Sequence, residues 1–261
     1  MEGTAGKVAI ITGGATGLGA GLVRAFQSSG VLVAFADIKE AQGRELESAL
    51  GSHVMFVRAD IRSDADLDEL LHRTHERFDA IDFLVNVACS YAEDGLMSSR
   101  SEWQAVFDVN LFGHAVLIQK AVPYLSKSGV GSIVNISSAS AHIAQMGRWV
   151  YPASKAAIEQ MTRSAALELA ERGIRVNALL PGMIARHPDA YASPEAKRKS
   201  TQMGQRANML GRLQEPEEVA QAALFLCSSH AKYITGSCLV ADAGYTALGP
   251  LGKEVHIPKR S

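Results

Sequence analysis

A tyrosine and a lysine four residues apart are the side chains of this sequence best placed for acid–base chemistry. Tyr151 and Lys155 open an apolar pattern of helical period that extends over 151–172. Residues four apart share one face of a helix, so the phenol and the ammonium group are expected side by side. A neighbouring cation favours the phenolate and lowers the pKa of a tyrosine, which is about 10 when unperturbed. The pair is a candidate general acid/base, although the same spacing also occurs on solvated helix faces.

A glycine-rich turn, 12–19, stands between the first apolar run and the first helical pattern. Backbone N–H groups at such a helix N-terminus suit a pyrophosphate. Gly13 can adopt a positive φ, Gly17 lets a ligand approach the backbone, and Gly19 allows close packing of helix and strand. An ordinary tight turn would need only one or two glycines, so the pattern predicts a dinucleotide site.

Asp37 ends the second apolar run, eighteen residues after Gly19. A carboxylate at that place can accept hydrogen bonds from both hydroxyls of an adenosine ribose, and it repels a 2′-phosphate. This favours NAD over NADP as the cofactor, and the nearby Lys39 weakens the preference.

Short apolar runs alternate with helical patterns along most of the chain, with Ser63 as the expected cap of the third helix. The alternation predicts an α/β fold, a single Rossmann-type doubly wound parallel sheet of about seven strands with helices on both faces, over 1–261. The polar segment 183–212 is predicted to be an irregular substrate lid, and the tail 249–261 to be either disordered or packed on a neighbouring subunit. The apolar runs are 8–11, 31–37, 54–57, 83–85, 132–136, 175–180 and 237–241, and the helical patterns are 18–28, 39–50, 64–77, 101–125, 151–172 and 216–227.

The composition excludes several classes of protein. Hydrophobic residues make up 47% and charged residues 20% of the 261 residues, which is ample for a packed core, and the net charge of −1 recruits neither nucleic acid nor an anionic membrane. No apolar stretch approaches the ~20 residues of a membrane span, and no signal peptide is recognised. The three scattered cysteines, Cys89, Cys227 and Cys238, suit reduced thiols, so a cytoplasmic protein is expected. The histidines are dispersed, and His72 with His75 lack partners at ligand spacing, so no metal site is predicted.

Taken together, these landmarks resemble the short-chain dehydrogenase/reductase family along nearly the full chain. Asn110 lies where that family has an active-site asparagine, and Ser138 precedes Tyr151 by thirteen residues, as the family serine does. Further matching positions are the turn 12–19, Asp60 with Ile61, Asn86 with Ala88, the Tyr151–Lys155 pair, and Pro181 with Gly182.

The resemblance implies a reaction in which a hydride passes between nicotinamide C4 and a secondary alcohol or its ketone. Tyr151 would exchange the proton with the substrate oxygen, Ser138 would fix that oxygen, and Lys155 would hold the nicotinamide ribose and lower the pKa of Tyr151. Asn110 would hold a water that relays protons to Lys155. The cofactor contacts implied are Gly13, Thr16, Gly17, Leu18, Gly19, Asp37, Ile38, Asp60, Ile61, Asn86, Ala88, Tyr151, Lys155, Pro181, Gly182 and Ile184.

The sequence departs from the family pattern at three positions. Val87 and Cys89 replace an asparagine and a glycine, and Cys89 is expected to be a buried, inert thiol. Arg186 stands where a threonine commonly contacts the carboxamide, a contact that the backbone of Ile184 could still make. Arg186 could instead meet a carboxylate of the substrate, and a solvated arginine is the alternative.

The predicted substrate wall lies mainly between Ser138 and Tyr151, and it includes the large side chains Met146 and Trp149. They favour an apolar, cyclic or aromatic small molecule, although core packing accounts for them almost as well. The pocket residues predicted are Ser138, His142, Gln145, Trp149, Tyr151 and Arg186.

Other functions remain to be weighed against an NAD-dependent oxidoreductase. A non-catalytic NAD-binding sensor or scaffold would be expected had the catalytic residues been lost. An epimerase or dehydratase of the related extended family would carry more chain after the sixth strand, and a zinc-dependent dehydrogenase would need metal ligands. The helices over 101–125 and 151–172 are apolar on more than one face, and the resemblance implies that they pair in a homotetramer or homodimer.

Overall fold

Strands and helices alternate along the chain in a computed structural model, which describes residues 1–185 and 193–249. The strands are β1 (Val8–Thr12), β2 (Leu32–Asp37), β3 (Val54–Arg58), β4 (Phe83–Asn86), β5 (Ser132–Ile136), β6 (Arg175–Pro181) and β7 (Cys238–Ala241). The helices are α1 (Gly17–Ser28), α2 (Glu40–Leu50), α3 (Asp64–Phe78), α4 (Arg100–Phe107), α5 (Gly113–Ser128), α6 (Val150–Leu169), α7 (Pro194–Ala207) and α8 (Pro216–Cys227).

All seven strands run parallel in one sheet, in the order β3-β2-β1-β4-β5-β6-β7. The strand order reverses between β1 and β4, and ligands of doubly wound sheets bind at this switch point, beyond the carboxyl ends of the strands. The predicted Rossmann-type architecture is confirmed. The loops after β1, β4 and β5 therefore meet at one edge.

Both faces of the sheet are covered, because successive strand residues point to opposite sides. Ile11 of β1 packs in a core with Phe26 of α1 and Leu224 of α8. Its neighbour Ile10 packs on the other face with Leu117 of α5. This explains why β1, β4 and β5 are buried at every position and read as continuous apolar runs.

The long helix predicted over 101–125 is confirmed as one helical stretch, Arg100–Ser128, which contains a π-helical turn that the sequence did not indicate. A π-helical turn, Asp108–Phe112, separates α4 from α5, and Asn110 lies inside it. Such turns insert one residue into a helix and are frequent at functional sites.

The predicted cap of α3 is confirmed, because the Ser63 side chain accepts a hydrogen bond from the N–H of Asp66.

The segment 183–212 is only partly irregular, which corrects the prediction of an irregular lid. It contains α7, whose first turn is capped by Ser193, with the N–H of Ala196 donating to its side chain at 3.1 Å. Proline at the first helical position supports this start, because the N–H that it lacks would have no acceptor within the helix. Residues 186–192, with Arg186, and nearly all of the predicted tail 249–261 lie outside the described residues.

Taken as one stretch, Arg100–Ser128 is long and apolar enough to cross a membrane, by length and composition alone. The expectation that no segment approaches that length was therefore too strict. Leu117 and Leu125 of this stretch are buried in the core on one face of the sheet. The three cysteines are free thiols, and Cys89 is half-buried rather than buried as expected.

Candidate active site

The glycine turn after β1 has the geometry that its residue types predict. Gly13 has a φ of 66°, and a Cβ there would lie 2.8 Å from the Cα of Ala88. A Cβ on Gly19 would lie within bonding distance of the Gly13 carbonyl oxygen, so helix and turn touch. Gly17 has a φ of 53° with nothing within 4 Å of its would-be Cβ, which leaves open space at the N-terminus of α1. That space is where a pyrophosphate would meet backbone N–H groups.

Asp37 closes this turn from the end of β2. One carboxylate oxygen accepts the N–H of Ala15 at 3.1 Å, and the other accepts the N–H of Lys39 at 3.0 Å. The Lys39 ammonium lies 3.4 Å from the hydroxyl of Thr16. Ile38, between Asp37 and Lys39, is 58% exposed. The carboxylate thus stands at the rim of the turn, and a basic side chain lies nearby, as the sequence suggested.

The Asp60 side chain is held by an arginine that the sequence reasoning did not single out. Arg62 donates from Nε to both carboxylate oxygens, at 2.9 and 3.2 Å, and these hydrogen bonds, more than its positive charge, hold the pKa of Asp60 below the usual value. A contact from Asp60 to adenine would therefore share the carboxylate with Arg62. Ile61 is buried against the start of α5, where a Cβ on Gly113 would meet its carbonyl oxygen at 2.5 Å.

The end of β4 is fixed by side chains of its neighbours. Asn86 is fully buried and donates to the amide oxygen of Asn135 at 2.8 Å. The Thr12 hydroxyl accepts the N–H groups of Val87 and Ala88, at 3.0 and 3.2 Å. These bonds hold the backbone where the family asparagine is replaced by Val87, whose side chain is buried.

Tyr151 and Lys155 lie side by side in the first turns of α6, as their spacing predicts. The Lys155 Nζ atom is 5.6 Å from the centre of the Tyr151 ring and donates to the carbonyl of Ile136 at 2.8 Å. Both side chains are buried, Lys155 almost completely. The structure therefore places a buried positive charge next to the Tyr151 ring.

Asn110 joins the π-helical turn to the loop after β4 and to α6. Its amide oxygen accepts the N–H of Ser90 at 2.7 Å, and its Nδ2 atom donates to the Ser90 carbonyl and the Ser154 hydroxyl, both at 3.0 Å. The Ser154 hydroxyl in turn donates to the Tyr151 carbonyl at 2.7 Å. Asn110 therefore braces the helix that carries the tyrosine. Its predicted part in a proton relay stays a prediction.

Ser138 follows β5 and is half-buried. Its hydroxyl oxygen accepts the N–H of Ser140 at 3.1 Å, so its hydrogen remains available to a substrate oxygen. The short turn that begins there packs against α6. A local backbone bond thus holds Ser138, and its hydroxyl donates to no acceptor among residues 1–185 and 193–249.

Two of the predicted pocket residues are engaged with the protein itself. The Gln145 amide oxygen accepts the hydroxyl of Ser140 at 2.8 Å. His142 lies with Nε2 3.0 Å from both oxygens of Glu159, a buried carboxylate one turn beyond Lys155. These contacts hold the β5–α6 loop (137–149) in place as one wall of the site.

A glutamate in the β4–α4 loop (87–99) caps α6, the helix that carries Tyr151, and the sequence reasoning missed it. Glu93 accepts the N–H groups of Trp149, Val150 and Tyr151 at one carboxylate oxygen, at 2.8, 2.7 and 3.2 Å. These donors have no partner within the helix, because the first turn of any helix leaves its N–H groups free. The only hint in the sequence was position, since loops at the carboxyl ends of strands often carry function.

Tyr91 and Arg148 were also missed, and both lie against the Tyr151 ring. The two phenol rings stack at 4.7 Å between centres, and the Arg148 guanidinium carbon is 5.1 Å from the Tyr151 ring. Their meeting depends on the contact of two loops distant in sequence, which no local pattern encodes. Trp149, a predicted pocket residue, is 53% exposed at the same rim.

His114 is a further buried residue near the lysine. It lies on α5, one turn after Asn110, and it is fully buried. Burial, together with the positive charge of Lys155, lowers its pKa to about 3, so the imidazole is neutral at physiological pH. Neither ring nitrogen has a hydrogen-bond partner of good geometry within the described residues.

The segment after β6 turns the backbone groups of Ile184 away from its neighbour Gln214. The N–H of Gln214 donates to the Met183 carbonyl, and the Gln214 carbonyl accepts the N–H of Ala185. In a parallel bridge the residue between such partners directs its own N–H and C=O the other way, so those of Ile184 face away from Gln214. The N–H of Gly182 is bound by the Gln214 side chain at 3.2 Å. Ile184 can therefore offer both groups to a carboxamide.

These features together fit a nicotinamide dinucleotide. The open turn at Gly17, the carboxylate of Asp37 and the backbone of Ile184 lie at the carboxyl end of the sheet, in the positions expected for pyrophosphate, ribose and carboxamide. Leu18 packs against the core beneath the turn. Among residues 1–185 and 193–249, no group of three or more histidine, cysteine or acidic side chains could hold a metal ion.

Comparison with known proteins identifies the family. Residues 13–246 match the profile of a family described as enoyl-(acyl carrier protein) reductase. The chain is 40% identical over 243 residues to L-fucose dehydrogenase of Mus musculus, covering 92% of this chain and 88% of that protein. It is 35% identical over 257 residues to cis-4-hydroxycyclohexanecarboxylate dehydrogenase of Sinomonas cyclohexanicum, covering 95% and 99%.

A solved structure shows the same fold with a cofactor bound. The 3-ketoacyl-(acyl-carrier-protein) reductase of Brucella melitensis, complexed with NADH, matches with a TM-score of 0.83 and 29% identity, over 93% of this chain and 99% of that one. The chain belongs to the short-chain dehydrogenase/reductase family and is a nicotinamide-dependent oxidoreductase of the alcohol dehydrogenase type.

Proposed function

We propose that the protein interconverts a secondary alcohol and its ketone on a small cyclic molecule, with NAD as the hydride carrier and Tyr151 as the general acid/base. The observation that carries this proposal is the buried Tyr151–Lys155 pair, with Nζ 5.6 Å from the phenol ring. The pair places a proton-exchanging hydroxyl beside a buried positive charge, an arrangement that suits general acid–base catalysis by a tyrosine.

The side chains divide the work around the reacting oxygen. When bound, the cofactor supplies the nicotinamide carbon that accepts or donates the hydride. Tyr151 takes the proton of the substrate hydroxyl, and Ser138 donates its unused hydrogen to the same oxygen and orients it. Lys155 stabilises the phenolate and is positioned to hold a ribose hydroxyl. Asn110 holds the N-terminal part of α6 in place through its hydrogen bond to the Ser154 hydroxyl.

The choice of NAD rests on Asp37. Its carboxylate is ordered by the N–H groups of Ala15 and Lys39 at the rim of the turn. A fixed negative charge there repels a 2′-phosphate and accepts ribose hydroxyls. The Lys39 ammonium lies next to the Thr16 hydroxyl, and its positive charge partly offsets this repulsion. NADP is therefore expected to be used far less efficiently than NAD rather than excluded.

A cyclic substrate is supported by the walls of the site. The exposed faces of Tyr91 and Trp149 offer flat apolar surfaces next to Tyr151. The two relatives above are named for a sugar, L-fucose, and for a hydroxylated cyclohexane ring. The stacking surfaces and these names therefore both favour a cyclic substrate.

The direct test is absorbance at 340 nm with NAD⁺ or NADP⁺ and a panel of cyclic and open-chain secondary alcohols. We expect turnover of cyclic alcohols with a higher kcat/KM for NAD⁺. Tyr151→Phe should lower kcat by at least ~100-fold, because general acid–base catalysis contributes on that order, while NADH binding measured by fluorescence stays intact. Tyr124→Phe, a tyrosine remote from Lys155, serves as the matched control.

A non-catalytic NAD-binding protein of the same fold is the second candidate. It would bind NADH, and neither the wild-type protein nor Tyr151→Phe would turn over any alcohol in the panel. Retained turnover in Tyr151→Phe would instead reject the assigned acid/base while keeping the enzyme.

A further inference from the structure

The β4–α4 and β5–α6 loops meet as one wall beside Tyr151. A Cβ on Gly95 would lie 2.9 Å from the backbone of Gly147, so the two loops touch through their main chains. Glu93 adds hydrogen bonds from the first loop to the N–H groups at the start of α6. Arg148 is carried on this wall, and its place relative to Tyr151 is therefore defined.

The Arg148 guanidinium lies over both phenols of the site. Its central carbon is 5.1 Å from the centre of the Tyr151 ring and 5.8 Å from that of the Tyr91 ring. Cations at this distance are attracted by the face of an aromatic ring. The side chain is 37% exposed, so part of the guanidinium stays open to the solvent at the mouth of the site.

Glu93 holds Arg148 without using up its donors. One carboxylate oxygen of Glu93 accepts three helix N–H groups, and the other lies 3.7 Å from the Arg148 Nε atom, beyond hydrogen-bond distance. A guanidinium carries five N–H donors, and that of Arg148 makes no hydrogen bond within residues 1–185 and 193–249. The Nη atoms are therefore left with unused donors next to the reacting group.

The other basic side chains near Tyr151 already have partners in the protein and do not compete with Arg148 for a ligand. Lys155 is 1% exposed and donates to the Ile136 carbonyl. His142 is engaged by the buried carboxylate of Glu159. Arg148 is thus the exposed cation that the described part of the chain places beside the Tyr151 ring.

We propose that Arg148 is an anion-binding subsite that selects alcohols carrying a carboxylate on the same small ring as the reacting carbon. The proposal rests on the proposed function and names its substrate class. A guanidinium fork matches the two oxygens of a carboxylate. The stacked rings of Tyr91 and Tyr151 provide an apolar surface for the ring of the substrate. Its carboxylate then meets the Arg148 guanidinium, and its hydroxyl meets the Tyr151 hydroxyl.

Binding to the protein–NADH complex tests the subsite without turnover. Cyclohexanecarboxylate and cyclohexanecarboxamide have the same shape and differ in charge, and calorimetric titration gives a Kd for each. We expect the carboxylate to bind roughly 10- to 100-fold more tightly, as for other hydrogen bonds to charged groups. Arg148→Ala should abolish the difference and Arg148→Lys should keep part of it. Arg163→Ala, which removes an exposed arginine of α6, should leave it unchanged.

The kinetic counterpart uses 4-hydroxycyclohexanecarboxylate and cyclohexanol as substrates. Arg148→Ala should raise KM for the acid by a similar factor and leave KM for cyclohexanol within about twofold, with little change in kcat. Equal affinity of the wild-type complex for the two probes, no binding of the carboxylate, or a preference that survives in Arg148→Ala overturns the subsite. Turnover of cyclohexanol without a carboxylate preference rejects the subsite alone, whereas a carboxylate preference without any turnover rejects the proposed function alone.

Discussion

At the scale of single residues, the site balances two buried or half-buried cations against two buried carboxylates. Lys155 and Arg148 flank the Tyr151 ring at 5.6 and 5.1 Å. Glu93 and Glu159 lie behind them and are bonded to backbone and side-chain donors. The two positive charges thus face the Tyr151 ring, and the two carboxylates face the scaffold.

The buried His114 predicts how stability responds to acid. Its pKa is lowered to about 3 in the folded protein, whereas an unfolded histidine has a pKa of about 6.5. Between these values the unfolded chain binds more protons, so this residue's contribution to stability is complete above pH 6.5 and is lost as pH falls towards 3. From pH 6.5 to 5 the loss should approach ~2 kcal/mol.

Urea unfolding at pH 7 and pH 5, at fixed protein concentration, measures this effect. His114→Leu should lose less stability than the wild-type protein over this interval, because leucine cannot take up a proton. The exposed His53→Gln serves as the control and should follow the wild type. A pH dependence identical in His114→Leu and wild type would contradict the prediction.

The sequence identified those site residues whose roles follow from local spacing. Tyr151 and Lys155 could be predicted because a helix brings positions four apart together, and Gly13 because a positive φ demands glycine. Tyr91 and Arg148 could not be predicted, since their contact depends on how two loops fold onto each other. Their chemistry is evident only when the rings are seen to stack.

At the scale of elements, α6 is positioned by contacts from outside itself. The residue at its N-cap position, Trp149, makes no side-chain cap, and Glu93 from another loop accepts the first N–H groups instead. The π-helical turn before α5 adds Asn110 as a second brace, through Ser154. The π-helical turn inside the predicted helix over 101–125 was not foreseen, because periodicity over a few turns does not reveal a single inserted residue.

The cap predicts that Glu93 couples stability to catalysis. Glu93→Ala leaves three N–H groups at the start of α6 without their charged acceptor, which should cost roughly 2–3 kcal/mol of the free energy of unfolding. The first turn carries Tyr151, so kcat should fall as well. Thermal and urea unfolding measure the first effect, and turnover at saturating substrate measures the second.

Glu93→Gln keeps an acceptor oxygen and should recover part of both properties. Glu45→Gln on α2, an exposed acid remote from the site, is the matched control and should resemble the wild type. The cap would be refuted by a Glu93→Ala protein with wild-type stability.

At the scale of the whole molecule, the doubly wound sheet was predictable because strands buried on both faces read as unbroken apolar runs. The order of those strands brings the loops after β1, β4 and β5 to one edge, where the turn, Tyr91 and Ser138 belong. Helix α7 was not foreseen, since its surface is largely polar and it lies in a segment that the prolines made resemble a loop.

The surface of the two long helices predicts association of the chain. Leu167 of α6 is 79% exposed, and Phe112, at the start of α5, is 53% exposed. Large apolar side chains at the surface often mark interaction sites, so we expect these helices to pair across subunits in a homodimer or homotetramer. Sedimentation velocity should give two or four times the 27.8 kDa of one chain.

Leu167→Lys should weaken this association, because a charged group at the centre of an apolar contact must lose its hydration to be covered. The sedimentation coefficient should then fall towards that of a smaller species as the protein is diluted, with the circular dichroism of the folded chain unchanged. Val130→Lys, at an exposed apolar position after α5 and outside both helices, separates a specific interface from a general effect of added charge. A wild-type protein that sediments as a monomer would exclude the interface, whereas dissociation by Val130→Lys alone would move it to another face.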